Sequence, residues 1–407
     1  MDSIRSLFQI GNGPSSSHTL GPRKAAGQYL ERCPDAPAFR VTLYGSLAAT
    51  GKGHLTDRVL IDAFAPRPLE ILWKPEETLP FHPNALKFET VDDDGKAANP
   101  WLVYSVGGGA LLVDGEKPKK CDMYRLHSLS LMMTYCQERG LSFWEYVESW
   151  EGEDIWDYLH DVWKAMQAAI DRGLQTEGVL PGGLGVPRKA AAFHTRARMS
   201  GKHFRETGLV SAYALAVAEE NAAGGVVVTA PTCGSSGVLP AVLRYMKETV
   251  ECSDEVIMRA LATAGLIGTL VKYNASISGA AVGCQGEIGS ACAMAAAAAA
   301  QIMGGTIRQI EYAAEMGLEH FLGLTCDPIG GLVQIPCIER NSFAALRGLD
   351  SAEYALFTDG SHRVSFDEVV EVMKKTGHDL PSLYRETAGG GLAGAYRDKQ
   401  REQKKGL

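Results

Sequence analysis

An α/β N-terminal domain followed by an all-α C-terminal domain, in one two-domain α+β chain, is the fold class this sequence predicts. Three observations lead to it. At 407 residues the chain is long for a single hydrophobic core. In its first part, apolar residues alternate with period two. From about residue 155 they recur instead at the spacing of one helix face. The expected boundaries are residues 1–140 for the α/β domain and 155–407 for the helical one.

The elements follow in order. Val41 and Leu43 alternate with Arg40, Thr42 and Tyr44, and Leu86 and Phe88 with Lys87 and Glu89, the pattern of half-buried strands. A third strand is expected over Trp101–Val106, running into Gly107-Gly108-Gly109, and Pro66 and Pro68 break the connection between the first two. Val162, Trp163, Met166, Ala169 and Ile170 share one face of an amphipathic helix. Leu209–Glu220 continues in that style and stops at Asn221-Ala-Ala-Gly-Gly. Val256–Val271, apolar nearly all round, reads as a buried central helix. The alanine-rich stretch Ala291–Met303 allows close approach of neighbours and is too short to span a bilayer. Arg397–Lys405 is highly charged and reads as a solvated tail.

Composition narrows the class. A hydrophobic fraction of 45% with 22% charged residues is that of a globular protein. A net charge of −8 spread along the chain argues against nucleic acid as a partner. The first residues, M-D-S-I-R-S-L-F, lack a basic segment followed by a long apolar one, so neither a secretory signal nor a membrane partner is expected. With that, nine cysteines imply reduced thiols and a cytoplasmic location.

Three cysteines stand apart: Cys284 in V-G-C-Q-G-E, Cys326 in L-T-C-D-P and Cys337 in I-P-C-I-E-R. Each is flanked by Gly or Pro, a loop setting that a core cysteine does not need. Three thiolates converging from loops could hold a metal centre with one position left open; burial as small hydrophobes is the competing reading. Cys233 and Cys292 read as packing residues.

A second signal is Gly11-Asn-Gly-Pro-Ser15-Ser16-Ser17-His18-Thr19, a hydroxyl-rich loop suited to an anion, before a helix expected near Pro22. A capped helix start would use the same serines, but His18 adds a proton carrier. A third is Tyr44-Gly-Ser46-Leu-Ala-Ala-Thr50-Gly-Lys52-Gly-His54, too short of the full phosphate-loop pattern to bind nucleotide; it presents Lys52 and His54 on a glycine-freed loop, or is simply surface. Thr229-Ala-Pro-Thr232-Cys233-Gly-Ser235-Ser236 and Lys272-Tyr-Asn274-Ala-Ser276-Ile-Ser278 set polar groups in apolar sequence, where they must be hydrogen-bonded or ring a ligand.

Taken together, G-P-S-S-S-H-T, Y-G-S-L-A-A-T-G-K-G-H, T-E-G-V-L-P, N-A-A-G-G, N-A-S-I-S-G-A, V-G-C-Q-G-E and C-D-P-I-G-G-L-V-Q-I-P-C-I-E-R-N resemble, in order and over nearly the whole chain, the iron–sulfur-dependent L-serine dehydratases, or L-serine ammonia-lyases, of the single-chain type. The resemblance implies a [4Fe–4S] cluster on Cys284, Cys326 and Cys337, a β-type domain fused to an α-type domain, a homodimer, and a small amino-acid substrate. It implies dehydration and deamination of L-serine to pyruvate and ammonia, with the cluster as Lewis acid. His54 or His18 is then the candidate α-proton base, with Ser15, Ser16, Ser17, Thr19 and Asn274 as candidates for holding the substrate. Action on L-threonine or L-cysteine would use the same machinery. A pyridoxal-phosphate enzyme would need a Schiff-base lysine and a phosphate cup. A redox or sensor role fits poorly, since the cysteine spacings match neither ferredoxin pattern. Several family members carry a late cysteine that caps the fourth iron. Here Gly390-Gly-Leu-Ala393 is followed by no cysteine, so water, a small anion or Asp398 is expected there.

Overall fold

The computed structural model describes residues 1–116 and 122–405. Its first part is a mixed five-stranded sheet with helices on one face. The strands are β1 (Ile10–Asn12), β2 (Ala38–Tyr44), β3 (Leu69–Lys74), β4 (Ala85–Val91), β5 (Ala97–Gly107) and β6 (Ala110–Val113). β1 stands outside the sheet, whose order is β3-β2-β4-β5-β6. Only β2 and β3 run parallel, with Val41 beside Ile71; the other pairs are antiparallel. Helices α1 (Gly21–Arg32), α2 (Gly45–Thr50) and α3 (Thr56–Phe64) accompany it. Period two works as expected: Phe39, Val41 and Leu43 of β2 and Leu86 and Phe88 of β4 are buried together with Tyr29 of α1 and Phe64 of α3. Tilted ring contacts, Phe39 to Phe64 at 4.6 Å and Tyr29 to Phe88 at 5.3 Å, fill this small core.

The helical part comprises α4 (Leu129–Arg139), α5 (Phe143–Glu151), α6 (Ile155–Gln175), α7 (Ala190–Arg198), α8 (Lys202–Ala222), α9 (Val238–Val250), α10 (Asp254–Asn274), the short α11 (Gly279–Val282), α12 (Ser290–Ile302), α13 (Ile307–Glu319), α14 (Cys337–Leu356), α15 (Phe366–Asp379) and α16 (Gly391–Lys405). A last strand, β7 (Val226–Val228), lies between α8 and α9. Its core reaches back beyond the change in texture near residue 140. Leu129, Met132 and Cys136 of α4 and Phe143, Tyr146 and Val147 of α5 belong to it, as do Met1, Ile4, Leu7 and Phe8. β1 then pairs antiparallel with β7, Ile10 opposite Val228. The N-terminal segment is therefore sewn into the helical core before the chain enters the sheet.

α12 is at the centre, buried from Ser290 to Ala300. Alanine side chains let α10, α13 and α14 pack directly on it; a Cβ on Gly317 of α13 would sit 2.9 Å from the Ala293 Cα. α10 is the one helix among the described residues long and apolar enough to cross a membrane, a test the shorter Ala291–Met303 stretch does not meet. Its apolar character has a local cause, since residues 260–271 are buried on every side by neighbouring helices. The expected charged tail is a helix, α16, exposed over residues 398–403 as its composition requires.

Candidate active site

Each of the three cysteines is presented by a break in regular structure. Gly283 ends α11 with φ 76° and ψ −174°, a conformation open essentially only to glycine, and so turns the chain into Cys284. A π-helical turn, Gln285–Gly289, leads from Cys284 directly into α12. Cys326 lies on the irregular segment between α13 and α14. Its N–H donates to the Tyr384 carbonyl at 2.8 Å, and its own carbonyl accepts the Thr387 N–H at 3.2 Å. Cys337 is the first residue of α14. The three line one narrow cavity with Ser15, His54, Glu287 and Glu386. Cys292 is buried within α12 in the helical core, and burial raises the Cys233 thiol to about 12, so both sit as packing residues. All cysteines among the described residues are free; Cys121 lies outside them.

The second wall comes from the N-terminal part. Gly13-Pro-Ser15 leads into a π-helical turn, Ser16–Leu20, which runs straight into α1. The expected hydroxyl-rich loop is thus already helical. Ser15 caps it, its Oγ accepting the His18 N–H at 3.1 Å. Ser17 Oγ lies 2.9 Å from His18 Nδ1, and Ser46 Oγ lies 3.2 Å from His18 Nε2, joining the first and third sequence motifs through one ring. Thr19 is not free to bind a ligand. Its hydroxyl donates to the His54 carbonyl at 2.7 Å and accepts the Ser15 N–H at 3.2 Å. Reciprocally, Thr56 Oγ1 donates to the His18 carbonyl at 2.6 Å. The two histidines are cross-tied through their backbones.

Electrostatics separates the groups. Burial lowers His54 to about 4 and, with His54 itself, holds His18 well below its ordinary value, so both imidazoles are neutral at pH 7. The buried His54 Nδ1 has no protein partner. The Cys326 thiol, hydrogen-bonded to Cys284, favours the Cys284 thiolate, and the Arg340 guanidinium adds to this. Cys326 is raised in return, and burial raises Cys337. Glu287 accepts from Thr232 Oγ1 at 2.8 Å and faces the Cys326 Sγ at 3.8 Å. Burial, then Glu287, pushes Glu386 up to about 8.

Not every expected residue reaches this cavity. The Asn274 amide ends α10 and donates to the His127 carbonyl at 2.8 Å, so Asn274 is not among the lining residues. Ser16 is buried in the helical turn without lining it. Asp398 is exposed on α16, which removes it as an oxygen ligand. Lys52 is exposed, its ammonium 5.6 Å from the Trp73 ring centre. Sequence reasoning passed over Glu386, Arg340 and Ser46. For Glu386 the available signal was a carboxylate between Tyr384 and a run of three glycines.

The sequence is also similar to known proteins over nearly its whole length. The family described as serine dehydratase alpha chain matches residues 90–393, and that described as serine dehydratase beta chain matches residues 3–65. An L-serine dehydratase of Streptomyces coelicolor is 42% identical, covering 96% of this chain and 98% of its own. L-serine dehydratase 1 of Escherichia coli is 40% identical, covering 97% and 99%. The Helicobacter pylori L-serine dehydratase is 37% identical, covering 96% and 98%. With matches of this extent to both family descriptions and to full-length relatives, the chain belongs to the serine dehydratase family, with alpha and beta parts fused in one polypeptide.

Proposed function

We propose that the protein is an L-serine ammonia-lyase, which removes water from L-serine and releases pyruvate and ammonia. One observation carries the reading: Cys284, Cys326 and Cys337 share a cavity with His54 and Ser15, which come from the other part of the chain. The names of the full-length relatives support it.

The donor set suits a [4Fe–4S] cluster better than a single ion. Among the described residues, no three His, Cys, Asp or Glu side chains close round one point as a mononuclear site requires. In a cubane each thiolate binds a different iron, which thiols spread over a cavity wall allow. Cys284, Cys326 and Cys337 would hold it, and the raised Cys326 and Cys337 would release protons on binding. When bound, the cluster supplies a Lewis acid for the departing hydroxide.

The chain supplies the remaining chemistry. The neutral His54, with its Nδ1 unpartnered, takes the α-proton. His18, fixed by Ser17 and Ser46, keeps the base oriented, and Ser15 offers its hydroxyl to the substrate carboxylate. Closure of the cavity by both parts of the chain holds base and substrate in one geometry. Aminoacrylate leaves this step and then tautomerises and hydrolyses in water. A cytoplasmic homodimer acting on the free amino acid completes the reading; family resemblance and the free thiols support it.

Anaerobic purification tests the proposal directly. Iron and sulfide near four of each per chain, together with pyruvate formed from L-serine, are the expected result. Full activity in iron-free protein would overturn it, and faster turnover of L-threonine or L-cysteine would reassign the substrate.

A further inference from the structure

We infer that the Glu386 carboxylate is the receptor for the α-ammonium group of the substrate, an assignment that rests on the amino-acid lyase reading above. Among the described residues two carboxyl groups line the cavity, Glu287 and Glu386, and no Lys or Arg does, the Arg340 guanidinium being taken up by Cys284. They are not equivalent. Glu287 Oε1 accepts from Thr232, and its Oε2 faces the Cys326 sulfur, one of the expected cluster ligands, at 3.8 Å. Glu386 Oε1 lies 3.5 Å from His18 Nδ1 and the carboxyl also draws on the Ala280 backbone N–H, while its buried Oε2 has no hydrogen-bond partner of normal geometry among the described residues. A buried carboxyl oxygen with neither proton nor donor is costly; an ammonium ligand would supply the donor and leave Glu386 ionised.

The backbone shows that this placement is enforced. Glu386 adopts φ 45°, a left-handed conformation that costs a non-glycine residue of order 1 kcal/mol or more. It is held there between two backbone hydrogen bonds to Cys326, from the Cys326 N–H to Tyr384 and from the Thr387 N–H to the Cys326 carbonyl. The Arg385 guanidinium beside it in sequence turns away, donating to the Ala281 carbonyl at 3.2 Å. His18, its nearest basic group, is itself held neutral by burial. The charge that would complete Glu386 must therefore come with the ligand. A zwitterionic amino acid brings one: its carboxylate meets the Ser15 side and its ammonium the Glu386 side, which leaves the α-hydrogen to His54. Selection for an amino acid over the corresponding hydroxy or unsubstituted acid then resides in Glu386.

The test compares cluster-loaded wild type with Glu386→Gln, after iron content and absorbance have been matched. Competitive inhibition by L-alanine and by propionate, the same skeleton without the ammonium, reads ammonium recognition as a ratio. A charge-assisted hydrogen bond lost from a buried site predicts that Glu386→Gln raises KM for L-serine about 10- to 100-fold and shrinks the alanine preference by a similar factor. Propionate inhibition should move less than about threefold. Glu386→Asp, which keeps the charge, should retain part of the preference, and it serves if the glutamine variant loses its cluster. An unchanged ratio, even with a lower kcat, overturns the assignment and leaves Glu386 as an orienting partner of His18. Wild type that binds L-alanine over propionate in direct titration but makes no pyruvate would overturn the lyase reading alone.

Discussion

The rings of His18 and His54 sit 4.5 Å apart, centre to centre, and are tilted by 58°. Two sequence motifs separated by more than thirty residues thus meet as one unit, each histidine's carbonyl held by a threonine from the other's segment. Protonating either ring opposes protonation of the other.

Base assignment can be decided by isotope exchange. His54→Ala should abolish exchange of the substrate α-hydrogen with solvent while iron content stays normal. His18→Ala should slow turnover yet leave exchange measurable. Normal exchange in the His54 variant would reverse the two roles.

The pH profile follows from the same burial. His54 is lowered from 6.5 to about 4, so the acid limb of kcat/KM should fall near pH 4 rather than near 6.5. Stability has the same sign: below pH 6.5 the unfolded chain binds the proton that the folded one refuses. Folding free energy should therefore drop as pH falls from 6.5 towards 4, by of order 3 kcal/mol for this group. Denaturant titrations of wild type and His54→Gln, which lacks the group, should converge at the acid end.

Ligand identity can be read from metal content. Single Ala replacements of Cys284, Cys326 and Cys337 should remove iron and activity together, whereas Cys33→Ala, Cys136→Ala and Cys252→Ala should keep full cluster absorbance. A cluster surviving in Cys337→Ala would show that another group holds that iron.

Gly283→Ala offers a backbone test of the same site. The added Cβ would lie 2.7 Å from the Leu324 carbonyl oxygen, at a φ of 76° that alanine tolerates badly. A loss of about 1–3 kcal/mol in stability is expected, with iron retention reduced more than the melting temperature alone would suggest.

The C-terminal helix should be dispensable beyond its first turn. Asp327 Oδ2 accepts the Leu392 N–H at 2.8 Å, and residues 398–403 are exposed. Truncation after Ala393 should change turnover and oxygen inactivation by no more than a few-fold. A serine-dependent lag that the truncation removes would show that the tail occupies the site.

Much of this architecture was legible in the sequence because burial leaves periodic traces. Val41 and Leu43 announced a strand, and the nearly uniform apolarity of Val256–Val271 announced a buried helix, which is enclosed on all sides over residues 260–271. The earlier start of the helical part was harder to see. α4 and α5 are short, each with only three fully buried apolar side chains on its inner face. In the site, cysteines beside glycine and proline stood out because that local chemistry is unusual. Glu386 did not, since its importance comes from a left-handed φ and a neighbour, Cys326, sixty residues away. Asn274 misled for the opposite reason: a polar residue next to the site in sequence spends its amide on His127.

The pairing of β1 with β7 imposes an order on biosynthesis. Ile4, Leu7 and Phe8 are made more than two hundred residues before Val226–Val228, the strand that pairs with the segment just after them. The sheet can close on its own small core during translation. The serine–histidine turn beside it is anchored from one side only until β7 emerges. A nascent chain therefore carries an apolar segment that has to wait for its partner, and the serine–histidine wall becomes rigid only after β7 has been made.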